Sequence, residues 1–483
     1  MNTKIKTVLC ALLLGALVAV GMTACDKTDA PDATDAPTVE QTAPATEPEA
    51  TEAPTEAPTE APTEAPTEAP TEAPTEAPTE AETGLKELIG LDVKTEDLAD
   101  IMQNVFMGTQ SIKETVMILD KGSSKALLYP IDSIVSVTSY DGKTVYEEGK
   151  DYVIEDGKFK ITADSSIPCI TSAQYFNVGD PTLHTVNPAT GFSVPTYWGD
   201  GRLKEWQVSV TYNHEAQWEG FMQESQLELY QGFVKKLIAG EDVTVFFSGD
   251  SITWGACSSY HEKAAPNQGG YAMLFTQALA DLFGYTIKYV NIAPEIGYPC
   301  APVPAGHYVA GDRGIITYVN TAIGGWDSAA GIQNFDEFIK APAEKYGCDL
   351  LILAYGINDN PQQPVREFTA NNVASMAKRM YEMNPDAAVM IVSTMTTHMG
   401  SNWAFDHLVK GTQEQALIRE AKALARKGRA CAVACVNAVS IDVQKYKTFN
   451  DYGGNNINHC NDWFHRVYAQ TLLQTLIGYE NMN

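Results

Sequence analysis

Val243-Thr244-Val245-Phe246-Phe247-Ser248-Gly249-Asp250-Ser251 is an apolar run that ends abruptly on a glycine, an aspartate and a serine. An apolar run without strict alternation reads as a strand covered on both faces, the pattern of a parallel sheet. Gly249 permits a tight turn, and Ser251 stands where such a strand gives way to a helix, with its N–H near the helix start where an oxyanion would develop. The same serine also suits a helix cap, and the block alone does not separate the two roles.

Outward from this block, apolar runs alternate with longer amphipathic stretches. A helix over 226–239 precedes it, with Leu227, Tyr230, Val234, Leu237 and Ile238 at helical spacing and Gly240 as the stop. Downstream come a helix over Tyr271 to Leu282 and strands at Thr286–Val290, Ile315–Val319 and Leu350–Ala354. A helix over Val365–Met383, a strand over Val389–Ser393, a helix over Thr412–Ala425, a strand at Ala432–Val436 and a closing helix to Tyr479 complete the series. This is an α/β pattern with a mainly parallel sheet. Catalytic groups in such sheets gather at the carboxyl ends of strands.

There the sequence has further blocks. Asn320-Thr-Ala-Ile-Gly324-Gly325-Trp326 follows the strand ending at Val319, Tyr355-Gly356-Ile357-Asn358-Asp359 follows the one ending at Ala354, and His459 lies near the C-terminus. With the serine block, these resemble the SGNH-hydrolase superfamily, also called GDSL-type esterases, over about Gln226 to Asn483. The resemblance implies a flavodoxin-like parallel sheet flanked by helices, with Ser251 as nucleophile and His459 as base. It also implies that the N–H of Gly325 and the amide of Asn358 join the Ser251 N–H as oxyanion donors. No metal or other cofactor is expected for this chemistry.

The last block departs from the family's Asp-x-x-His. Here the run is Asn455-Asn456-Ile457-Asn458-His459-Cys460-Asn461-Asp462-Trp463-Phe464-His465. Aligning His459-Cys460-Asn461 with the family's His-Pro-Asn puts Asn456 at the position of the orienting acid; literal spacing instead selects Asp462 and His465. His459 is preferred, because Asp462 looks like a helix N-cap and His465 falls on the amphipathic face of the helix that follows. Asp451, Asp462, Asn456 or a backbone carbonyl then remain as partners for the imidazole. Asp250 and Asp359 read as supports of their turns.

Upstream, short alternating runs at Glu114–Ile118, Ser133–Thr138, Asp151–Ile154, Lys158–Ile161 and Trp206–Tyr212, separated by turns such as Asp141-Gly142 and Asp156-Gly157, suggest a small β-sandwich over 85–225. Its aromatics, including Tyr175, Tyr197, Trp198, Trp206 and Trp218, either fill a core or stack on sugars. Residues 25–84 hold seven consecutive Thr-Glu-Ala-Pro repeats from Thr51 to Pro78, an extended, self-repelling stalk. Lys4, Lys6, an apolar run over 8–20 and Gly21-Met22-Thr23-Ala24-Cys25 resemble a bacterial lipoprotein signal, which implies removal of residues 1–24 and lipidation of Cys25.

The net charge of −28 argues against nucleic acid as partner. The expected protein is therefore a cell-surface lipoprotein, touching the membrane only through Cys25, that hydrolyses small acyl esters, O-acetyl groups on polysaccharide foremost. The alternative is a non-catalytic glycan-binding lipoprotein with a degenerate SGNH domain. Nine cysteines, two of them Cys10 and Cys25, form no dense framework, so most of the rest should be buried thiols.

Overall fold

Alternation along the central strands builds two cores at once. In a computed structural model that describes residues 105–176, 184–186, 193–195, 202–359, 365–401 and 403–478, Val243, Val245 and Phe247 point into one core and Phe246 into the other. Leu350, Ile352 and Ala354 likewise face the first core, and Leu351 and Leu353 the second. Such a strand is wholly buried, which is why it shows no polar alternation.

Before this sheet lies a β-rich region. Strands β1 (Gln110–Met117), β2 (Ser124–Lys125), β3 (Ser133–Ser139), β4 (Tyr152–Glu155), β5 (Lys158–Ile161), β6 (His184–Val186), β7 (Ser193–Pro195) and β8 (Gln207–Asn213) form antiparallel sheets of order β1-β8-β3, β2-β5-β4 and β6-β7. The runs of alternating residues noted above coincide with β1, β3, β4, β5 and β8. Tyr175 and Trp218 are buried there as core residues, whereas Tyr197 and Trp198 lie outside the described residues.

The main sheet holds β9 (Val243–Gly249), β10 (Thr286–Tyr289), β11 (His307–Val309), β12 (Ile315–Asn320), β13 (Leu350–Ala354), β14 (Ala388–Val392) and β15 (Cys431–Ala434), in the order β11-β10-β12-β9-β13-β14-β15. All neighbours are parallel except β10 and β11. Without the β10–β11 edge pair the order is 2-1-3-4-5, the flavodoxin-like winding, so the crevice at the carboxyl ends of β12, β9 and β13 lies where strand order reverses.

Helices Leu227–Ala239, Tyr271–Phe283 and Asp462–Leu476 supply the first core; Val365–Met383 and Thr412–Ala425 supply the second. The first core continues without a break into the β-rich region, joining Val116, Phe159 and Tyr212 to Trp463 and Leu472. For that reason every residue of Asp462–Leu476 is buried, on the polar face of the helix as well as the apolar one.

Several local expectations are corrected. No helix follows Ser251: residues 251–263 form successive turns, and the next helix starts only at Tyr271. Gly255, Pro266 and the Gly269-Gly270 pair interrupt any helical run there. The cap of the last helix is Asn461, whose side chain accepts the N–H of Phe464, and Asp462 is the first helical residue. The edge strand β11 and the helical stretch 328–346 were not distinguishable by period, being short or interrupted. Cys169, Cys257, Cys300, Cys348, Cys431, Cys435 and Cys460 are all free thiols. Among the described residues no helix is long and apolar enough to cross a membrane. The signal, the stalk and Cys25 lie outside the described residues.

Candidate active site

At the end of β9 the chains approach too closely for any side chain but hydrogen. A Cβ on Gly249 would stand 2.4 Å from the Ala354 carbonyl oxygen and 2.4 Å from Thr253 Oγ1. Glycine there lets the Asp250 N–H reach the Ala354 carbonyl at 3.2 Å, and the Ile323 N–H reach the Gly249 carbonyl at 3.1 Å. Three strand ends are thereby stitched into one surface. Asn320 adds a tie, its amide donating to the Thr253 carbonyl at 2.9 Å.

Ser251 follows, buried to 6% exposure, with its carbonyl accepting from Ala256 at 2.9 Å. The Asp250 carboxyl group turns inward and accepts the Ile252 N–H at 3.0 Å; burial pushes its pKa up to about 7. Asp250 thus supports the turn without a helix behind it. Asp359 plays a similar part in the next loop, accepting from Ser328 Oγ at 2.5 Å.

The structure brings His459 to Ser251. Its Nε2 lies 2.7 Å from Ser251 Oγ, across a separation of 208 residues in sequence. His465 is engaged elsewhere: Nδ1 accepts from the Tyr271 N–H at 3.3 Å and Nε2 lies 3.2 Å from the Ala256 carbonyl. Asn358 donates one amide hydrogen to the Trp326 carbonyl at 2.9 Å, which leaves its second N–H for another acceptor. Among the described residues the N–H groups of Ser251 and Gly325 take no partner, and Gly325 adopts φ of 82°, in the left-handed region. Gly324 and Gly325 are exposed beside Trp254 and Trp326, which are half-buried.

The three groups considered as partners of the imidazole are placed as follows. Asp451 is paired with Lys125 at 2.7 Å and accepts the Met117 N–H. Asp462 accepts the Ser259 N–H at 2.7 Å. Asn456, at φ of 58°, donates to Tyr175 Oη at 2.6 Å. The side chain beside Nδ1 is instead Asn455, with Nδ2 at 3.0 Å, and Cys257 Sγ stands at 3.9 Å. Neither stands out in sequence as functional. The signal for Asn455 is its place four residues before His459, where an Asx side chain can gather the N–H groups that follow it.

This loop is held from outside the main sheet. Asn461 donates to Thr115 Oγ1 at 2.9 Å and Gln207 Oε1 at 3.0 Å; Gln207 donates in turn to the carbonyls of Asn450 and Gly453. The Asp462 N–H donates to Tyr140 Oη at 2.9 Å. The β-rich region thus forms one wall of the histidine loop.

Burial, reinforced by the neighbouring imidazoles of His465 and His261, pushes His459 down to about 3. A base that takes up a proton only near that pH stays neutral at every higher pH. The kcat/KM of any reaction that uses His459 should therefore show no acid limb near the free imidazole value of about 6.5, and should stay level down to about pH 5. A pH–rate profile that falls with a midpoint near 6.5 would contradict this.

Residues 245–467 match the family described as GDSL-like Lipase/Acylhydrolase. Similar solved structures include a two-domain esterase (CEX) active on acetylated mannans, 19% identical over 53% of this chain and 54% of that one, with a TM-score of 0.36. Another is the acetylxylan esterase Axe2 from Geobacillus stearothermophilus, 17% identical over 50% of this chain and 96% of that one, TM-score 0.32. A third is LAE5, an α/β hydrolase from the metagenome of Lake Arreo, Spain, 15% identical over 51% and 99%, TM-score 0.32. The chain spans about half the length of the mannan-active esterase. No curated protein matches it.

Proposed function

We propose that this chain is a serine esterase that removes small acyl groups, O-acetyl first among them, from extracellular polysaccharide, held at the cell surface through a lipidated Cys25. The observation that carries the esterase reading is the 2.7 Å contact between Ser251 Oγ and His459 Nε2 at the carboxyl end of β9.

In this reading Ser251 Oγ attacks the ester carbonyl while Nε2 takes its proton. The oxyanion accepts from the N–H groups of Ser251 and Gly325 and from Asn358 Nδ2, fixed neutral donors each able to stabilise it by roughly 3–4 kcal/mol. Nε2 then gives the proton to the departing sugar oxygen, leaving an acyl-serine. Water repeats the sequence, losing a proton to Nε2 and releasing acetate as Ser251 recovers its hydrogen. For each transfer the ring must carry its own proton on Nδ1.

A sugar substrate is supported by the aromatic surroundings. Trp326 directly follows Gly325, and Tyr298, 46% exposed, has its ring centroid 6.2 Å from that of Trp326. Such faces suit the apolar side of a pyranose. The acidic chain also favours a neutral polymer over an anionic one.

Acetate release from acetylated xylan, acetylated pectin and acetylated peptidoglycan tests the proposal, with the Ser251→Ala protein as blank. Release from at least one substrate by the unaltered protein alone is expected. Release from none, or equal release by both proteins, overturns it. One observation favours a non-catalytic glycan binder instead, namely an amide rather than a carboxylate beside His459 Nδ1. That reading requires glycan binding without acetate release.

A further inference from the structure

The Asn455 side chain is oriented by its own turn. Its Oδ1 accepts the N–H groups of Ile457 at 3.0 Å, Asn458 at 3.0 Å and His459 at 2.9 Å. With the oxygen committed to three donors, the amide cannot be turned over without losing them all, so Nδ2 is the atom that faces outward. It stands 3.0 Å from Asn458 Oδ1 and 3.0 Å from His459 Nδ1. All four residues of this network are essentially inaccessible to solvent or nearly so.

An amide nitrogen has hydrogens and no accepting lone pair. Facing it, Nδ1 has to present a lone pair. The other neighbour does not oppose this: burial pushes the Cys257 thiol up to about 12, so its sulfur, 3.9 Å from Nδ1, carries no negative charge that would call for a proton there. A neutral imidazole with its lone pair on Nδ1 carries its hydrogen on Nε2, the atom 2.7 Å from Ser251 Oγ.

We infer that Asn455 is the residue that orients His459, and that it holds the ring at rest with its proton on Nε2, donating to Ser251 Oγ, so that the form able to act as base is a minor tautomer. Asn455 is thus a positioning residue that sets the direction of the ring correctly and its tautomer adversely. Reaching the basic form takes a proton off Nε2 and places one on Nδ1, with no net gain or loss, and requires the Asn455 amide to turn away and give up the three N–H groups held by its Oδ1.

Asn455→Asp should relieve this. One carboxylate oxygen keeps the three N–H groups and the other accepts from Nδ1–H, while the Asn458 amide turns over to donate where it now accepts. In serine proteases the opposite change, aspartate to asparagine at the orienting position, lowers kcat about 10⁴-fold through the wrong tautomer. The expected result is a rise in kcat of at least about tenfold with KM little changed, a gain bounded by that factor.

The inference rests on the esterase reading only for its kinetic arm. ¹⁵N NMR of the full chain labelled at histidine reads the tautomer directly, with His459→Gln identifying its ring signals. In the unaltered protein Nδ1 of His459 should give the unprotonated signal and Nε2 the protonated one, and Asn455→Asp should exchange them. A protonated Nδ1 in the unaltered protein overturns the inference, whether or not the Asp variant folds. So does a folded Asp variant whose kcat is unchanged or lower. If the unaltered protein releases no acetate, the esterase reading fails while the NMR arm still decides the tautomer.

Discussion

Replacing Ser251 by alanine is expected to lower kcat for p-nitrophenyl acetate by about 10² to 10⁵-fold, the roughly 10⁶-fold of an intact triad less the cost of the adverse tautomer, leaving only the rate that the oxyanion donors and binding supply. The loss is large because no second nucleophile stands at Nε2 in the described site. His459→Ala should cost about the same, since serine without a base and base without serine stop the same step. The double variant should therefore be scarcely slower than either single one, far short of the product of the two losses. His465→Gln serves as the comparison: its ring bonds Tyr271 and Ala256, so kcat should change far less than in His459→Ala even where stability falls. Single-turnover measurements of the four proteins check this. A dead His465 variant beside an active His459 variant would show that the wrong histidine has been assigned.

The second large effect is on stability. Glu114 and Lys447 pair with both side chains at 0% exposure, joining β1 to the segment before the histidine loop. Glu114 also accepts from Leu128 N–H at 2.8 Å, Tyr212 Oη at 2.7 Å and Ser111 Oγ at 3.1 Å. Lys447 also donates to the Thr115 carbonyl at 2.9 Å and lies over the Trp463 ring. Glu114→Ala strands an ammonium in an apolar core and removes an acceptor from several donors, which should destabilise the fold by about 3–5 kcal/mol. Glu114→Gln keeps most of the hydrogen bonds and should cost less. Denaturant unfolding followed by tryptophan fluorescence measures both. An alanine variant within 1 kcal/mol of the unaltered protein, a bound set by the roughly 0–1 kcal/mol of exposed pairs, would mean the pair is solvated.

The parts legible in sequence are those governed by local period. β9 and β13 announce themselves as continuous apolar runs because both faces are covered, and β1, β3 and β8 by alternation. Gly249, Ser251, Gly325 and Asn358 could be placed in order after successive strands, and the winding of the sheet sets the ends of β12, β9 and β13 side by side. What escaped depends on contacts across the fold. Asn455 and Asn456 are neighbours of identical chemistry, and only the turn at φ of 58° on Asn456 sends one amide to Tyr175 and the other to His459. Asn461 and Asp462 are both good caps, and a single residue of register decides between them. The all-round burial of Asp462–Leu476 could not be read from its period, because Thr471, Gln474 and Thr475 look like a solvent face until the β-rich region is placed over them.

That burial also sets an order of events in synthesis. The strand carrying Glu114 emerges from the ribosome 333 residues before the lysine that neutralises it, and Ser251 emerges 208 residues before His459. Chains whose decisive pairings are so distant close slowly, with apolar strands waiting uncovered in the interval. The nascent polypeptide therefore carries a sheet it cannot seal and a serine without its histidine partner until residues 447–476 arrive. Arrival of the last helix and of the loop before it then closes the core and brings His459 against Ser251.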